Sequence, residues 1–368
     1  MEILSVSVAR GIYPASESDR DTNPGASLAN YKVVHKGDVV YNSMRMWQGA
    51  VGSSDYDGIV SPAYVVARPA IELDSTCFGY LLKRPEMLYK YLCDSQGNSK
   101  DTQTLKYNRF ADIEVTMPAN LEEQRVISAC LGRVGALITL HQRKYDKLCT
   151  VKKSMLDKMF PKPGETEPEI RFEGFTDPWE QRKLGNCGTT YGGLTGKTKE
   201  DFGHGSARFI PYTNVFDNPL TDTKRLEAVE IDSSQNQVAY GDVFFTVSSE
   251  TPDEVGMSSV WLSDQEDVYL NSFCFGYRQD STFDPHYLAY MLRSSSVRSN
   301  LTLLAQGISR FNISKNKVME LNVPVPSAVE QKQLGQYFTK LDNLITLHQR
   351  KLDLLKNTKK SLLDKMFV

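Results

Sequence analysis

Residues 137–160 read LITLHQRKYDKLCTVKKSMLDKMF, and residues 344–367 read LITLHQRKLDLLKNTKKSLLDKMF. The two stretches lie 207 residues apart and are identical at 18 of 24 positions without a gap. A near-copy at this distance indicates a chain built twice from one unit. The segments leading into the copies are far less alike. This pattern favours two matched helices carrying two different heads over an enzyme with a single pocket.

Both copies lie in proline-free stretches with apolar residues at heptad spacing, which predicts long helices that bury one seam against a partner helix. About forty residues make a helix of roughly 60 Å, so the simplest partner is the other copy, in an antiparallel pair with the heads at opposite ends. The predicted seam positions are Leu131, Val134, Ile138, His141, Leu148, Phe338, Leu341, Ile345, His348 and Leu355. His141 and His348 are expected to fix the register, since two histidines are too few for a structural zinc site. Lys152 and Lys359 are expected to be solvated.

The predicted fold class is α+β, with two α/β heads that are each followed by a long helix. Short β-rich runs with Gly, Pro, Ser and Asn between them characterise both heads. Three prolines between the first helix and the second head indicate a linker. The expected segments are a first head at 1–118, a helix at 119–160, the linker at 161–168, a second head at 169–326 and a helix at 327–368.

Composition sets broad limits on the class of protein. Hydrophobic residues make up 40% and charged residues 24% of the 368 residues, without an apolar run or leader that would predict a membrane span or a signal peptide. The six cysteines are scattered, which argues against a zinc ribbon and suits reduced thiols in a cytoplasm. A net charge of −2 implies that any DNA binding uses local basic patches or the charge of partner subunits.

Sequence signals for catalysis are weak. Residues 192–198 (GGLTGKT) resemble a phosphate-binding loop, but Tyr191 stands where the first glycine of that motif belongs. We interpret this segment as a flexible loop whose amides and lysines approach DNA, with an ordinary surface turn as the alternative. Asn-Pro occurs only in plain turns, so an adenine-methylating loop is not indicated. We predict no catalytic centre and no metal site.

The order of several motifs resembles the DNA-specificity subunit of type I restriction–modification systems. The motifs are the Glu-Gln openings of both helices, which follow Pro118 and Pro326, the duplicated LITLHQRK, and the segments 168–176 (PEIRFEGFT), 179–184 (WEQRKL), 44–49 (MRMWQG) and 58–64 (GIVSPAY). The resemblance implies two target-recognition domains, each reading half of a split double-stranded DNA site. It also implies that the paired helices set the spacing and dock methyltransferase subunits, two of them expected, with restriction subunits added for cleavage. S-adenosylmethionine, ATP and magnesium would bind those partners, and the chain would be non-catalytic and cytoplasmic.

Base reading requires Arg or Lys for guanine, Asn or Gln for adenine, and Ser or Thr for either. In the first head the candidates are Arg45, Gln48, Ser61, Tyr64, Lys106, Asn108 and Arg109. In the second head they are Lys197, Lys199, Arg208, Tyr212, Asn214, Ser248, Ser249, Arg310 and Asn312. Trp47 is as well suited to the core as to DNA.

Aligning Lys36-Gly37-Asp38-Val39 with Tyr240-Gly241-Asp242-Val243 leaves the first head without a counterpart of residues 169–204. This keeps open a decoy that occupies methyltransferase without normal recognition, which would copurify with methyltransferase but show no specific DNA binding. A standalone nucleic-acid enzyme is the third class, and activity of the isolated chain would reveal it.

Overall fold

The computed structural model describes residues 1–8, 10–18, 28–99 and 102–367. It consists of two compact units, one comprising Met1–Arg143 with Gln349–Val368 and the other Lys144–His348. Each unit contains one head and a part of both long helices, because the chain passes between the units within those helices. The five segment boundaries predicted from the sequence stay predictions.

In its described residues, the head of the first unit contains two small sheets and three short helices. Its strands are β1 (Glu2–Ser7), β2 (Gly11–Pro14), β3 (Lys32–Val34), β4 (Val39–Asn42), β5 (Val51–Ser53), β6 (Gly58–Val60) and β7 (Tyr64–Ala67). The sheet orders are β2-β1-β6-β3 and β5-β4-β7. The short helices are α1 (Ser75–Leu81), α2 (Pro85–Asp94) and α3 (Tyr107–Ala111), and the long helix α4 (Leu121–Lys158) follows.

The head of the second unit repeats this plan with more strands. Its strands are β8 (Glu180–Lys183), β9 (Gly188–Gly192), β10 (Phe202–Ile210), β11 (Glu227–Val229), β12 (Val243–Thr246), β13 (Ser248–Ser249), β14 (Ser258–Val260), β15 (Val268–Leu270), β16 (Cys274–Gln279), β17 (Phe311–Asn312) and β18 (Asn322–Val325). They form sheets ordered β14-β12-β16-β9, β11-β10-β15, β13-β17 and β18-β8. The helices are α5 (Tyr212–Asp217), α6 (Pro285–Met291), α7 (Ser295–Leu303), α8 (Lys315–Met319) and the long α9 (Ala328–Met366).

Each head has a buried central strand, and apolar core residues pack on both faces of that strand. Successive side chains of a strand point to opposite faces, so Val39 and Tyr41 of β4 enter one apolar cluster while Val40 enters another. Val243 and Phe245 of β12 likewise pack in one cluster, and Phe244 packs in a second. The residue before each strand is a buried aspartate that accepts two hydrogen bonds from an arginine, Arg68 to Asp38 and Arg278 to Asp242. The alignment of the two Gly-Asp-Val segments is therefore a structural equivalence.

The two long helices pair antiparallel, as the repeat predicts. In the first unit, Ile127 and Leu131 near the start of α4 share a core with Phe367 just beyond the end of α9. In the second unit the roles are exchanged, because Phe160 follows α4 and packs against Leu334 and Phe338 near the start of α9. The aromatic residue that ends each copy of the repeat is thus buried on the head that belongs to the other helix.

The predicted seam positions are buried or half-buried without exception. The two seam lysines are also half-buried, so the expectation that they are solvated is wrong. Lys152 forms an ion pair with Asp342 and lies 5.6 Å from the ring centre of Tyr290. Lys359 lies 5.4 Å from the ring centre of Tyr80, and burial lowers its pKa.

The glutamine of each helix opening fastens the helix to its own head. Gln124, 5% exposed, accepts a hydrogen bond from the amide of Asp74 and donates one to the carbonyl of Pro118. Gln331, 2% exposed, does the same with Asp284 and Pro326. Asp74 and Asp284 cap α1 and α6, so the motif fixes the angle at which head and helix meet.

Among the described residues, the glutamate beside the glutamine has an ion-pair partner in the second unit and none in the first. Arg171 donates two hydrogen bonds to the carboxylate of Glu330, at 2.8 and 2.9 Å, and that carboxylate is 1% exposed. Glu123, the equivalent residue, is exposed. The Arg171-Phe172 segment is therefore a clasp on the start of α9 in this unit, since Phe172 also packs against the core.

The residues that the structure describes contain neither a candidate membrane span nor a candidate metal-binding cluster. No helix there is both long and apolar enough to cross a membrane. No group of three or more His, Cys, Asp or Glu side chains there could hold a metal ion.

Candidate nucleic-acid interface

In the first head, Ser43 joins the three segments that carry the candidate residues. Its carbonyl oxygen accepts a hydrogen bond from the amide of Leu105 at 2.8 Å, and its hydroxyl donates one to the carbonyl of Ala63 at 3.1 Å. The loop at residues 44–49, which carries Arg45, therefore lies beside the loop at residues 61–64 and the segment at 106–109. Sequence reasoning missed Ser43, because nothing in its type or spacing marks it.

The polar side chains of this surface point outward from a fixed loop. A short 3-10 helix, Met46–Gln48, buries Met46 completely and turns back at Gly49, whose positive φ of 95° suits glycine. Trp47 packs against the same core as Met46, so its role is structural. The candidates that remain exposed are Arg45, Gln48, Lys106, Asn108 and Arg109.

Ser61 and Tyr64 are less available than the sequence suggests. The Ser61 hydroxyl accepts a long hydrogen bond from the amide of Ala63, and the Tyr64 ring packs against an apolar cluster. Both residues are half-buried. They shape the loop rather than extend from it.

The second head brings part of its candidate set together in the same way. Val247 occupies the place of Ser43, because its carbonyl accepts a hydrogen bond from Ile313 and its amide donates one to Phe273. The next two residues form β13, paired with β17 in the register Ser248 to Asn312 and Ser249 to Phe311. The Tyr212 hydroxyl donates to the carbonyl of Ser248 at 2.7 Å.

A cavity of about 270 Å³ opens beside this ladder. It is lined by Tyr212, Thr213, Phe216, Ser248, Ser249, Glu250, Glu254 and Arg310. The rings of Tyr212 and Phe216 stack at 5.9 Å, and burial raises the pKa of Tyr212, so its hydroxyl stays protonated at neutral pH. Arg310 and Asn312 are exposed. Glu250 was not among the predicted residues, which were limited to basic, amide and hydroxyl side chains.

A second, shorter repeat lies beside these surfaces: each head contains a hairpin that begins with a Gln-Gly pair. Gln96 and Gly97 begin a hairpin in the first head that closes by a bridge from Gln96 to Thr104. Gln306 and Gly307 begin the equivalent hairpin, closed by a bridge to Asn312. The repeated Gln-Gly pair was the sequence signal that could have located this part of the surface.

Several predicted residues of the second head are engaged elsewhere. Asn214 is fully buried, and its side chain bonds to backbone groups of Asp222 and Arg225, so its prediction as a base reader is wrong. Ser249 is 6% exposed and donates to the Glu254 carboxylate. Arg208 donates to the carbonyls of Gly205 and Ala207 within its own strand.

Lys197 is neutralised within the chain rather than presented to a partner. It forms an ion pair with Asp232 at 2.9 Å, and its side chain is 12% exposed. The hydrogen bond to Asp232 raises the pKa of Lys197, whereas the Ser234 hydroxyl and Lys197 lower the pKa of Asp232. The loop it belongs to leads into a three-residue 3-10 helix at Lys199–Asp201, which is not the α-helix that a phosphate-binding loop precedes. Lys199 itself is exposed.

Comparisons with known proteins agree with this architecture. Residues 176–357 match the family described as type I restriction modification DNA specificity domain. The chain is 21% identical to the type I restriction enzyme MjaVIII specificity subunit of Methanocaldococcus jannaschii, over 96% of this chain and 85% of that protein. It is 25% identical to the StySPI specificity subunit of Salmonella potsdam, over 45% of this chain and 36% of that protein.

A further curated relative is matched over 46% of its length, so two of these relatives are covered over less than half of their own chains. Among solved structures, the type I restriction–modification S subunit from M. genitalium is similar with a TM-score of 0.54 at 15% identity. That similarity covers 92% of this chain and 84% of the other. At this identity it supports the fold.

Proposed function

We propose that this chain, which belongs through residues 176–357 to the family of type I restriction–modification DNA specificity domains, reads a two-part DNA site with its two heads. Its role is recognition, since specificity subunits are the non-catalytic members of these systems. The observation that carries the proposal is the shared scaffold around Ser43 and Val247. Each head joins three segments at this position, through the carbonyl and hydroxyl of Ser43 in the first head and through the carbonyl and amide of Val247 in the second. The two heads present different side chains around it, as two readers of different half-sites require.

The partners we propose are two methyltransferase subunits, joined by restriction subunits when the DNA is cleaved, in the cytoplasm. Each long helix exposes a pair of leucines outside its seam, Leu137 with Leu140 and Leu344 with Leu347, all between 43% and 47% exposed. The second pair is the repeat image of the first, so each helix offers the same apolar contact. S-adenosylmethionine, ATP and magnesium would bind the partners.

The heads should be separable in specificity. We expect that replacing residues 169–326 with the equivalent segment of a relative changes one half of the methylated sequence and leaves the other half intact. Methylome sequencing of cells that carry the chain with its methyltransferase subunits measures this. A change in both halves, or in neither, would contradict the assignment of one head to one half-site.

Arg45 is the residue of the first head best placed to read a base. Its exposed guanidinium can donate two hydrogen bonds to guanine, so Arg45→Ala should weaken specific binding by about 1–3 kcal/mol and relax one base position. Binding of the assembled complex to duplexes varied at single positions tests this. Arg133→Ala, which removes an exposed arginine of the long helix, is the control substitution. Unchanged affinity and an unchanged methylated motif for Arg45→Ala would remove this loop from the interface.

Lys197 and Lys199 form a matched pair for the electrostatic part of binding. Lys197→Gln should leave the slope of log affinity against log salt unchanged, because Asp232 already neutralises the lysine. Lys199→Gln should reduce the magnitude of that slope by about one unit if its exposed ammonium meets a phosphate. A unit change for Lys197→Gln would show that the ion pair opens on DNA.

A further inference from the structure

Glu250 and Arg310 are opposite charges that face one cavity in the second head. The register of β13 and β17 pairs Ser248 with Asn312 and Ser249 with Phe311, so Glu250 and Arg310 come next to each other just beyond the ladder. Both are exposed, and both line the 270 Å³ cavity. Yet within the described chain neither forms an ion pair within 4.0 Å.

The second carboxylate of the cavity has a different task. Glu254 accepts hydrogen bonds from the hydroxyls of Ser249 and Thr251, at 3.2 and 2.9 Å, and so braces the turn that follows β13. Glu250 has no such bond among the described residues. Its carboxylate, like the Arg310 guanidinium, is left to face whatever enters the cavity.

A carboxylate on a DNA-facing surface repels the phosphate backbone whatever the base sequence. A hydrogen bond from a base to this carboxylate would offset that repulsion, so its presence there points to a specific base that donates. Among base edges in the major groove, the cytosine N4 amine is the donor that Glu recognises, and the guanine O6 and N7 atoms are the acceptors that Arg recognises. In a G·C pair these groups are adjacent. Each of the two residues lies one position beyond a paired strand residue, and opposite Cβ atoms in such a ladder are about 5 Å apart, a spacing that suits the two bases of one pair.

We propose that Glu250 and Arg310 together read one G·C base pair in the half-site of the second head, with Glu250 on cytosine and Arg310 on guanine. This inference rests on the proposed function and adds base identity to it. Glu250 would also disfavour the wrong base. A thymine or guanine in place of the cytosine would place a hydrogen-bond acceptor against its carboxylate, and two acceptors repel each other.

The first head has no equivalent of this pair. Counting three residues from Ser43 reaches Met46, as counting three from Val247 reaches Glu250, and Met46 is fully buried. The reading of cytosine by a carboxylate is therefore assigned to one half-site only.

Methylome sequencing tests the inference with the chain and its methyltransferase subunits expressed together. The half-site of the second head, identified as the half that changes when residues 169–326 are exchanged, should contain a fixed G·C pair. Glu250→Gln should raise methylation of sites with adenine in place of that cytosine on the order of tenfold, since Gln pairs with adenine. Glu266→Gln, an exposed carboxylate outside the cavity, should leave the motif unchanged.

Retained reading of the first half-site shows that the Glu250→Gln chain is folded. A second half-site without a G·C pair, or a motif unaffected by Glu250→Gln, overturns this inference while the proposed function stands. A natural chain that directs no sequence-specific methylation at all overturns both.

Discussion

Replacing Glu330 with alanine is expected to lower the free energy of unfolding of the second unit by about 3–5 kcal/mol. The carboxylate is 1% exposed and accepts two hydrogen bonds from Arg171, whose side chain is 15% exposed. Removing it leaves a guanidinium buried without its counter-charge. The guanidinium cannot lose its charge by deprotonation in the variant, because the ordinary pKa of arginine lies far above neutral pH.

Urea denaturation followed by tryptophan fluorescence measures this loss, because Trp179 lies 5.9 Å from the Arg171 guanidinium. The repeat supplies a matched control in Glu123→Ala, which removes an exposed carboxylate from the same position of the other helix and should change stability by less than about 0.5 kcal/mol. Equal effects of the two substitutions would contradict the clasp. Replacing Arg171 and Glu330 together by Met and Leu should recover most of the stability, since it removes both charges.

The sequence predicts the helices well because their signal is long and repeated. The heptad spacing and the absence of proline predict two long helices, which the structure shows as α4 and α9. The buried positions of Phe160 and Phe367 explain why the repeat extends to its last aromatic residue. The seam lysines were misjudged because a charge in a helix seam is ordinarily solvated. Lys152 instead forms an ion pair with Asp342 and lies over the ring of Tyr290, and both residues are distant from it in sequence.

The interface was predicted less completely because its geometry depends on contacts distant in sequence. Ser43 joins Leu105 to Ala63 through one backbone bond and one bond of its hydroxyl, which no residue pattern predicts. Asn214 has a side chain of the type that reads bases, but its amide hydrogen-bonds to the backbone of Asp222 instead. The family motifs at Gln124, Gln331 and Arg171 hold heads to helices, whereas the predicted DNA contacts stay predictions.

The exposed leucines of the long helices carry the largest effect we expect on assembly. Leu137→Glu with Leu140→Glu places two charges in the proposed methyltransferase contact of α4 without touching the seam. Because the leucines are nearly half exposed, the fold should tolerate the change. Burying two unpaired carboxylates in an apolar contact should abolish binding of one methyltransferase subunit.

Because the leucine pair occurs once in each long helix, the expectation can be tested by counting the methyltransferase subunits that each variant binds. The α4 variant should retain one methyltransferase, the Leu344→Glu and Leu347→Glu variant of α9 should retain the other, and the four-fold variant should retain none, as measured by native mass spectrometry. Leu354→Glu is the matched control, since Leu354 is 66% exposed on the same helix and its repeat position is Lys147. Two subunits on the four-fold variant would exclude this surface as the docking site. One subunit lost from either two-fold variant, with melting temperature unchanged, would mean that each copy of the repeat docks its own partner, because the two leucine pairs are the same contact made twice.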